Sequence, residues 1–408
     1  MPATIIQSDT TPFEKKAIDP VTLDIIENAL RNARIEMDAT LVRTAMSPGI
    51  REQGDAFPLI ADHEGRMIVG QFGSFIGGFL EGYDGTLEDG DMIFLSDPYS
   101  VGGAISHCND WLVLLPVFKD GRLLAYTAMF GHQSDIGGKV PGSMPIDATN
   151  IFQEGVRWGP TRIMRQGEWV RDVIDLLCLN SRVPKTLMGD LKAQIAAIRL
   201  GNERMTWLKR RFGQDVLEAC ATQIFDATDG KFRAFIRSIP DGVYTAEGFS
   251  DNDGVTDEPV LSRVTVTIDG DRMIVDTAGS ARQRPGNLNT GYANTVSAVR
   301  LALALLYPAS EPDINDGSFR AIEVLAESGS IYAAEAPAPC MRPHPVMLLI
   351  DLIVKALSDV LPDHVAAGLP GDSWNIFLLG TDPATGKLFS SGEALDGGAR
   401  RIETLLGE

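Results

Sequence analysis

The chain has 408 residues, of which 44% are hydrophobic, 22% charged and 7% aromatic, a composition typical of a globular protein with two or three cores. Its net charge of -19 would repel phosphate backbones and anionic membrane surfaces, which excludes nucleic acid and membranes as expected partners. The most apolar windows, residues 296–307 and 346–361, are too short or too interrupted by charges to span a bilayer and predict buried helices.

Cysteine usage and the N-terminal segment bear on location. The four cysteines form no CxxC pair and are widely spaced, at Cys108, Cys178, Cys220 and Cys340. Such spacing favours a reducing compartment over secretion. The opening MPATIIQSDTTPFEKK lacks the apolar core of a signal peptide, so we expect a cytoplasmic protein.

A long amphipathic helix is predicted first. Asp19 is a typical N-cap residue, Pro20 suits the first helical position, and apolar residues then recur every three or four positions until about Met46. Short apolar runs separated by glycine, aspartate and proline follow, and they predict strands at 57–61, 67–69, 92–95, 112–118 and 123–130. Asp120-Gly121 predicts a tight hairpin turn between the last two strands.

Glycine and proline crowd residues 131–160, which predicts an extended loop. Helices are then expected at 172–179, from Gly189-Asp190 onward, and at 215–239. The second of these has one apolar face, formed by Leu191, Ile195, Ile198, Met205 and Leu208.

Pro240-Asp241-Gly242 ends this block and is the predicted domain boundary, which gives domains 1–240 and 241–408. A second hairpin around Asp269-Gly270 and helices at 295–306 and 346–361 complete the prediction. Hairpins without regular βαβ alternation favour an α+β fold, with mixed, largely antiparallel sheets and packed helices in several layers.

Two of the five histidines begin a His-x-x-Asp pattern, His107-Cys-Asn-Asp110 and His132-Gln-Ser-Asp135. Asp110 enters one strand of the first hairpin and His132 leaves the other, so both lie at its open end. His107 is in the preceding loop, after Gly102-Gly103, and is able to reach the same point. Two imidazoles and one carboxylate suit zinc, manganese or iron(II).

The facing of these side chains is left open by the sequence. A regular two-residue turn pairs His132 with Asn109, which points His132 and Asp110 to opposite faces. A bulge at Gly131, or a three-residue turn, would bring them to the same face. A purely structural His/Asp pair at a strand end is the alternative.

Other catalytic motifs are missing from the sequence. GxGxxG and GxSxG do not occur, and GTDPATGK at residues 380–387 departs from a P-loop because its glycine spacing is too long and Leu388 replaces the Ser/Thr. If ATP is used, another chain should bind it. Cys108 lacks a nucleophile signature, and a role as a small buried side chain is favoured.

Five segments carry a family resemblance: DPVTLDIIENALRNARIEMDATLVRTAMSPGIREQGDAF, SDPYSVGGAISHCNDWLVLLPVF, HQSDIGGKVPGSMPIDATNIFQEG, GDLKAQIAAIRLGNERM and VDTAGSARQRPGNLN. They resemble the hydantoinase B/5-oxoprolinase family, which includes N-methylhydantoinase subunits and the alpha-type subunits of acetone and acetophenone carboxylases. The resemblance covers nearly the whole chain.

The resemblance implies site residues. Metal-binding relatives use two histidines and an aspartate spaced as in this chain, which implies His107, Asp110 and His132 as ligands. Asp135 would then be a supporting or acid/base group, and Glu154 a further catalytic candidate. Two more residues are expected near the pocket, with a structural salt bridge as the favoured alternative, namely Arg51 and Asp55.

The resemblance also implies a reaction class and a partner. Relatives couple ATP hydrolysis on a separate hydantoinase A-type subunit to chemistry on an unreactive small-molecule amide or ketone. The first hypothesis is therefore an ATP-dependent hydrolase of cyclic amides, the second a metal-dependent ketone carboxylase, and the third an inactive scaffold subunit.

Two departures from the family pattern qualify these hypotheses. GGAISHCND has two more residues before the histidine than the GGTHxxD of many relatives, which resembles a carboxylase-like subgroup. Relatives usually continue well beyond the segment matching GEALDGGARR, so the C-terminal domain is expected to be shortened.

Overall fold

The computed structural model describes residues 18–52, 54–71, 76–83, 85–100, 105–308, 314–342, 344–365, 373–381, 383–386 and 388–396. The predicted α+β class is confirmed. The helices are α1 Pro20–Thr44, α2 Pro48–Arg51, α3 Ile76–Gly82, α4 Arg171–Asn180, α5 Pro184–Phe212, α6 Gln214–Ser238, α7 Tyr292–Leu306 and α8 His344–Leu357. The strands are β1 Ala56–Asp62, β2 Met67–Val69, β3 Met92–Leu95, β4 Asp110–Lys119, β5 Arg122–His132, β6 Thr161–Arg165, β7 Glu168–Trp169, β8 Gly242–Ser250, β9 Val260–Asp269, β10 Arg272–Asp276, β11 Ile322–Leu325, β12 Ser373–Thr381 and β13 Leu388–Asp396.

An antiparallel sheet in the order β2-β1-β5-β4-β3-β6-β7 forms the centre of the first half of the chain. Alternate residues of β4 enter two cores, because successive side chains of a strand point to opposite faces. Val113 and Leu115 pack with helices α1 and α5, whereas Leu112 and Leu114 pack on the other face with Phe79 of α3. Both faces of the sheet are therefore buried, which explains the nearly continuous apolar runs.

The β4–β5 hairpin has the predicted two-residue turn. Asp120 and Gly121 both have positive φ, 54° and 75°, as a tight hairpin turn requires. The register shifts by one residue beside Val117 and Phe118, where Leu124 has no partner on β4. Both expected alternatives are therefore wrong. The bulge lies next to the turn and not at Gly131, and the turn has two residues and not three.

Helix α5 begins at Pro184, five residues before the start that was predicted at Gly189-Asp190. Gly189 lies inside the helix, where an added Cβ would be only 2.2 Å from Met46 Sδ. Asp190 accepts hydrogen bonds from the backbone N–H groups of Met46 and Ser47, at 2.6 and 3.0 Å. The Gly-Asp pair that resembles a helix start is thus a docking point for the end of α1.

The second half of the chain has its own core. The sheet β11-β10-β9-β8 includes the predicted hairpin β9–β10 and packs against α7 and α8. Helix α6 contributes to both cores, with Leu217 and Phe225 in the first and Phe232 and Ile236 in the second. The domain boundary near residue 240 stays a prediction.

The GTDPATGK segment lies in a hairpin. It connects β12 to β13, which pair antiparallel, and β13 begins at Leu388. A P-loop is instead followed by a helix that contributes to phosphate binding. None of the described helices is both long and apolar enough to cross a membrane.

Thr127→Val tests how the sheet is attached to α5. Thr127 is fully buried on β5, and its hydroxyl donates to the carbonyl oxygen of Ile198 at 2.9 Å. Valine keeps the shape but loses this bond, so we expect the free energy of unfolding to fall by about 1 kcal/mol. Urea unfolding measures this. Thr44→Val, at an exposed position of α1, is the matched control and should change stability less.

Candidate metal centre

Three neighbouring strands place acidic and imidazole side chains in one row at the end of the sheet. Asp110 is directly opposite His132 in the β4–β5 register. Ala56 pairs with Gly131 on the other side of β5, so Asp55 comes next to His132. Directly opposite residues of a sheet point to the same face. Asp55, His132 and Asp110 therefore share one face, which settles the question that the sequence left open.

His107 joins this row from the turn that precedes β4. Its Nδ1 lies 3.1 Å from the carbonyl oxygen of Met341 and donates to it, so Nε2 is the nitrogen that faces the row. The hydroxyl of Ser106 forms a short hydrogen bond to Asp110 Oδ2. The predicted glycines Gly102 and Gly103 lie outside the described residues.

The three donor atoms form a compact triangle. His107 Nε2 is 3.1 Å from His132 Nδ1 and 3.2 Å from Asp110 Oδ1, and His132 Nδ1 is 3.1 Å from Asp110 Oδ1. Nitrogen and oxygen ligands about 2.1 Å from one cation lie about 3.0 to 3.4 Å apart at right-angle to tetrahedral spacing. The residues fit a divalent cation. In the described part of the chain, the triangle is the group of three potential ligand residues whose donor atoms all lie within 4.8 Å of one another.

The electrostatics of the triangle favour a positive charge. Burial disfavours the charged form of His107, but the nearby Asp110 outweighs this effect and raises the histidine's pKa to about 9. Burial likewise acts to raise the pKa of Asp110, yet His107 and His132 lower it below its ordinary value. The second carboxylate, Asp55, has Oδ2 3.7 Å from His132 Nδ1. A proton or a metal cation between the imidazoles is thus electrostatically favoured.

Asp135, the predicted acid/base group, is buried in a different set of contacts. Its Oδ1 accepts from the backbone N–H groups of Gly137 and Arg182, at 3.2 and 2.9 Å. Its Oδ2 accepts from Gly142 N and Arg182 Nη1, both at 2.9 Å. These bonds hold the glycine-rich loop of residues 137–142 against Arg182, which lies just before α5. They support a structural role, and the predicted proton transfer stays untested.

Glu154, the other predicted catalytic residue, is buried beside the segment that contacts His107. Its Oε1 accepts from the backbone N–H groups of Cys340 and Met341, at 2.7 and 3.0 Å. Burial raises the pKa of this carboxyl group to about 7. Glu154 therefore reaches the triangle through Met341 and not by a direct contact with a ligand atom.

Of the two residues expected near the pocket, Asp55 borders the triangle and Arg51 pairs with Glu52 at 2.9 Å on the surface. Two residues beside the triangle, Ser106 and Met341, were not predicted from the sequence. Ser106 is adjacent to a predicted ligand, which is a usable signal. The Met341 carbonyl is 234 positions from His107 and is a backbone atom, so no residue pattern indicates it.

A family model and several known proteins that resemble this chain agree on one family. The sequence model of the family described as Hydantoinase B/oxoprolinase matches residues 19–401. The chain is 33% identical over 380 residues to the beta subunit of the caprolactamase of Pseudomonas jessenii, covering 90% of this chain and 64% of the relative. It is 32% identical to the B-type subunit of a putative D-/L-hydantoinase of a Pseudomonas species, covering 87% and 64%.

A carboxylase relative and a solved structure are also similar. The acetophenone carboxylase delta subunit of Aromatoleum aromaticum is 30% identical over 247 residues, which is 58% of this chain and 36% of that one. The crystal structure of the ATP-dependent caprolactamase from Pseudomonas jessenii superposes with a TM-score of 0.82 at 30% identity, covering 92% of this chain and 66% of the other.

The chain spans about 64% of the length of the caprolactamase and hydantoinase subunits that it matches. The family match nevertheless covers nearly every residue between the first helix and the last described strand. The chain belongs to the hydantoinase B/oxoprolinase family.

Proposed function

We propose that this chain is the catalytic subunit of an ATP-dependent amidohydrolase that opens cyclic amides. The observation that carries the proposal is the His107, Asp110 and His132 triangle, found in a chain related to caprolactamase and hydantoinase subunits. The donor set suits zinc, manganese or iron(II). A cytoplasmic location is part of the proposal and is supported by the four free cysteines.

A hydantoinase A-type partner subunit would bind ATP, since the chain has no P-loop sequence. In the net reaction, a lactam, ATP and two waters give the ring-opened amino acid, ADP and phosphate. Transfer of the γ-phosphoryl group of ATP to the amide oxygen makes the amide carbon electrophilic, and the first water attacks this carbon. The ring C–N bond then breaks, the nitrogen takes up a proton, and an acyl phosphate forms. The second water hydrolyses the acyl phosphate to the carboxylate and phosphate. A bound divalent cation would supply Lewis-acid polarisation during the attack of the first water.

The residues of the chain have separate tasks in this proposal. His107 and His132 present one ring nitrogen each, and Asp110 presents Oδ1. Ser106 fixes the other oxygen of Asp110. Asp55 Oδ2, which lies 3.7 Å from His132 Nδ1, would accept a proton from the attacking water. The hydrogen bonds of Asp135 would keep residues 137–142 against Arg182.

The test uses the chain copurified with its ATP-binding partner and offers ε-caprolactam, hydantoin and 5-oxoproline with ATP. We expect the ring-opened product, an amino acid from either lactam or an N-carbamoyl amino acid from hydantoin, detected by mass spectrometry, with ADP formed in equal amount. Product should disappear when ATP or the partner is left out. Turnover by the chain alone without ATP would contradict the assignment of ATP to a partner.

A ketone carboxylase is the second candidate. It is favoured by the acetophenone carboxylase relative and by the two additional residues before His107. In the same assay, bicarbonate-dependent ATP turnover with acetone or acetophenone, and none with the cyclic amides, would replace the hydrolase by the carboxylase. A complex that binds its partner but turns over neither class would indicate the inactive scaffold.

A further inference from the structure

We propose that Glu154 is a positioning residue for His107 and acts through the peptide segment Cys340–Met341. This inference rests on the proposed metal centre and deepens it. The carboxylate of Glu154 holds one side of the segment, and the segment's carbonyl holds the ring of His107. The second half of the chain therefore completes a ligand set whose members all lie in the first half.

One carboxylate oxygen of Glu154 binds the Cys340–Met341 segment. Glu154 Oε1 accepts both backbone N–H groups, from Cys340 at 2.7 Å and from Met341 at 3.0 Å. The Met341 carbonyl then accepts from His107 Nδ1 at 3.1 Å. Glu154 is 1% exposed, Met341 4% and His107 9%, so water does not readily replace these bonds.

The segment needs this support because it belongs to neither a helix nor a strand. Its flanks are tied to the second core: Asn289 Nδ2 donates to the Pro339 carbonyl at 2.8 Å, and Arg342 N donates to the Asn287 carbonyl at 3.4 Å. Between these ties, the described partner of the two consecutive N–H groups is Glu154. Losing it leaves two buried donors unpaired and frees the carbonyl that orients His107.

The orientation of His107 matters because its Nδ1–H bond determines which nitrogen is available as a ligand. With Nδ1 donating to Met341, Nε2 is the nitrogen that faces Asp110 and His132 and would bind the metal. If the carbonyl moves, the ring is free to rotate or to change tautomer. Metal affinity then falls although every ligand is present.

The role requires an acceptor oxygen at one position but no negative charge. Glu154→Gln keeps an oxygen at the position of Oε1 and removes the charge. Glu154→Asp keeps the charge but withdraws the oxygen by one methylene. Glu154→Ala removes both. An acid/base role instead predicts that turnover is higher in the aspartate variant than in the glutamine variant, because only the aspartate is able to exchange a proton.

The experiment measures Zn²⁺ affinity by competition with a chromophoric chelator, using the full chain and these three variants. We expect the glutamine variant to bind within about threefold of the wild type and the alanine and aspartate variants to lose about tenfold or more. Glu168→Ala, at an exposed position of β7, is the control and should bind like the wild type.

Every outcome of this experiment supports or overturns the positioning role of Glu154. Equal losses for glutamine and aspartate, or an unchanged affinity in all three variants, overturn the positioning role. Wild-type affinity with lost turnover in the glutamine variant alone indicates acid/base catalysis instead. If the alanine variant does not fold, the glutamine and aspartate variants still decide. A wild-type protein that binds no Zn²⁺, Mn²⁺ or Fe²⁺ removes the metal centre itself, which separates failure of the proposed function from failure of this inference.

Discussion

His132→Ala is expected to abolish stoichiometric binding of a divalent cation and, with it, the proposed hydrolysis of cyclic amides. His132 Nδ1 is 3.1 Å from both of the other donor atoms, so it occupies one corner of the triangle. Changes to groups behind metal ligands already cost about 10 to 100-fold in affinity. Removal of a ligand should exceed that range. Isothermal titration with Zn²⁺ and elemental analysis of the purified protein measure the effect.

His63→Ala is the matched control, because His63 lies in the turn between β1 and β2, away from the triangle. It removes an imidazole from a turn of the same sheet's β1–β2 hairpin and should leave one bound cation per chain. A His132→Ala protein that keeps its full metal content and its turnover would show that the triangle is a structural cluster. The His107→Ala protein should behave like His132→Ala, since the two histidines have equivalent tasks.

Asp135→Ala is expected to destabilise the protein strongly, by about 3 kcal/mol or more in the free energy of unfolding. The side chain of Asp135 is 2% exposed and pairs with Arg182 at 2.9 Å, and three backbone N–H groups also donate to it. Removing the carboxylate leaves Arg182 and these donors without their acceptor. Urea unfolding followed by tryptophan fluorescence gives the change.

The control for this variant is Asp147→Ala, which removes an exposed aspartate that pairs with Lys139 on the same loop. Its effect should be small, because exposed ion pairs contribute little. The informative contrast is Asp135→Asn, which keeps two polar groups in place. If it folds with near wild-type stability but loses turnover, Asp135 takes part in proton transfer, and the structural role is insufficient.

Several elements were predictable because local physics determines them. Asp19 caps α1 through a hydrogen bond from Thr22 N, as the Asp-Pro pair predicts. Asp120-Gly121 forms the predicted tight turn of the β4–β5 hairpin. The open end of that hairpin brings together Asp110 and His132, which share one row of the sheet. Turn chemistry and hydrophobic periodicity were sufficient at these positions.

Other features depend on contacts between distant segments, which single-chain patterns do not reveal. The bulge at Leu124 sets which face His132 occupies, and no glycine or special residue marks it. Gly189 and Asp190 are helical because they receive the end of α1. The contact of Met341 with His107 links parts of the chain that the predicted domains separate. In each case a tertiary contact outweighs the local preference.

The position of α6 has a consequence for how the protein comes apart. One end of this helix is packed by Leu217 and Phe225 in the first core, and the other by Phe232 and Ile236 in the second. Melting either core removes the packing of half the helix, and a helix so shortened loses stability along its whole length. The two halves of the chain are thus expected to unfold cooperatively, as one thermodynamic unit, despite their separate cores.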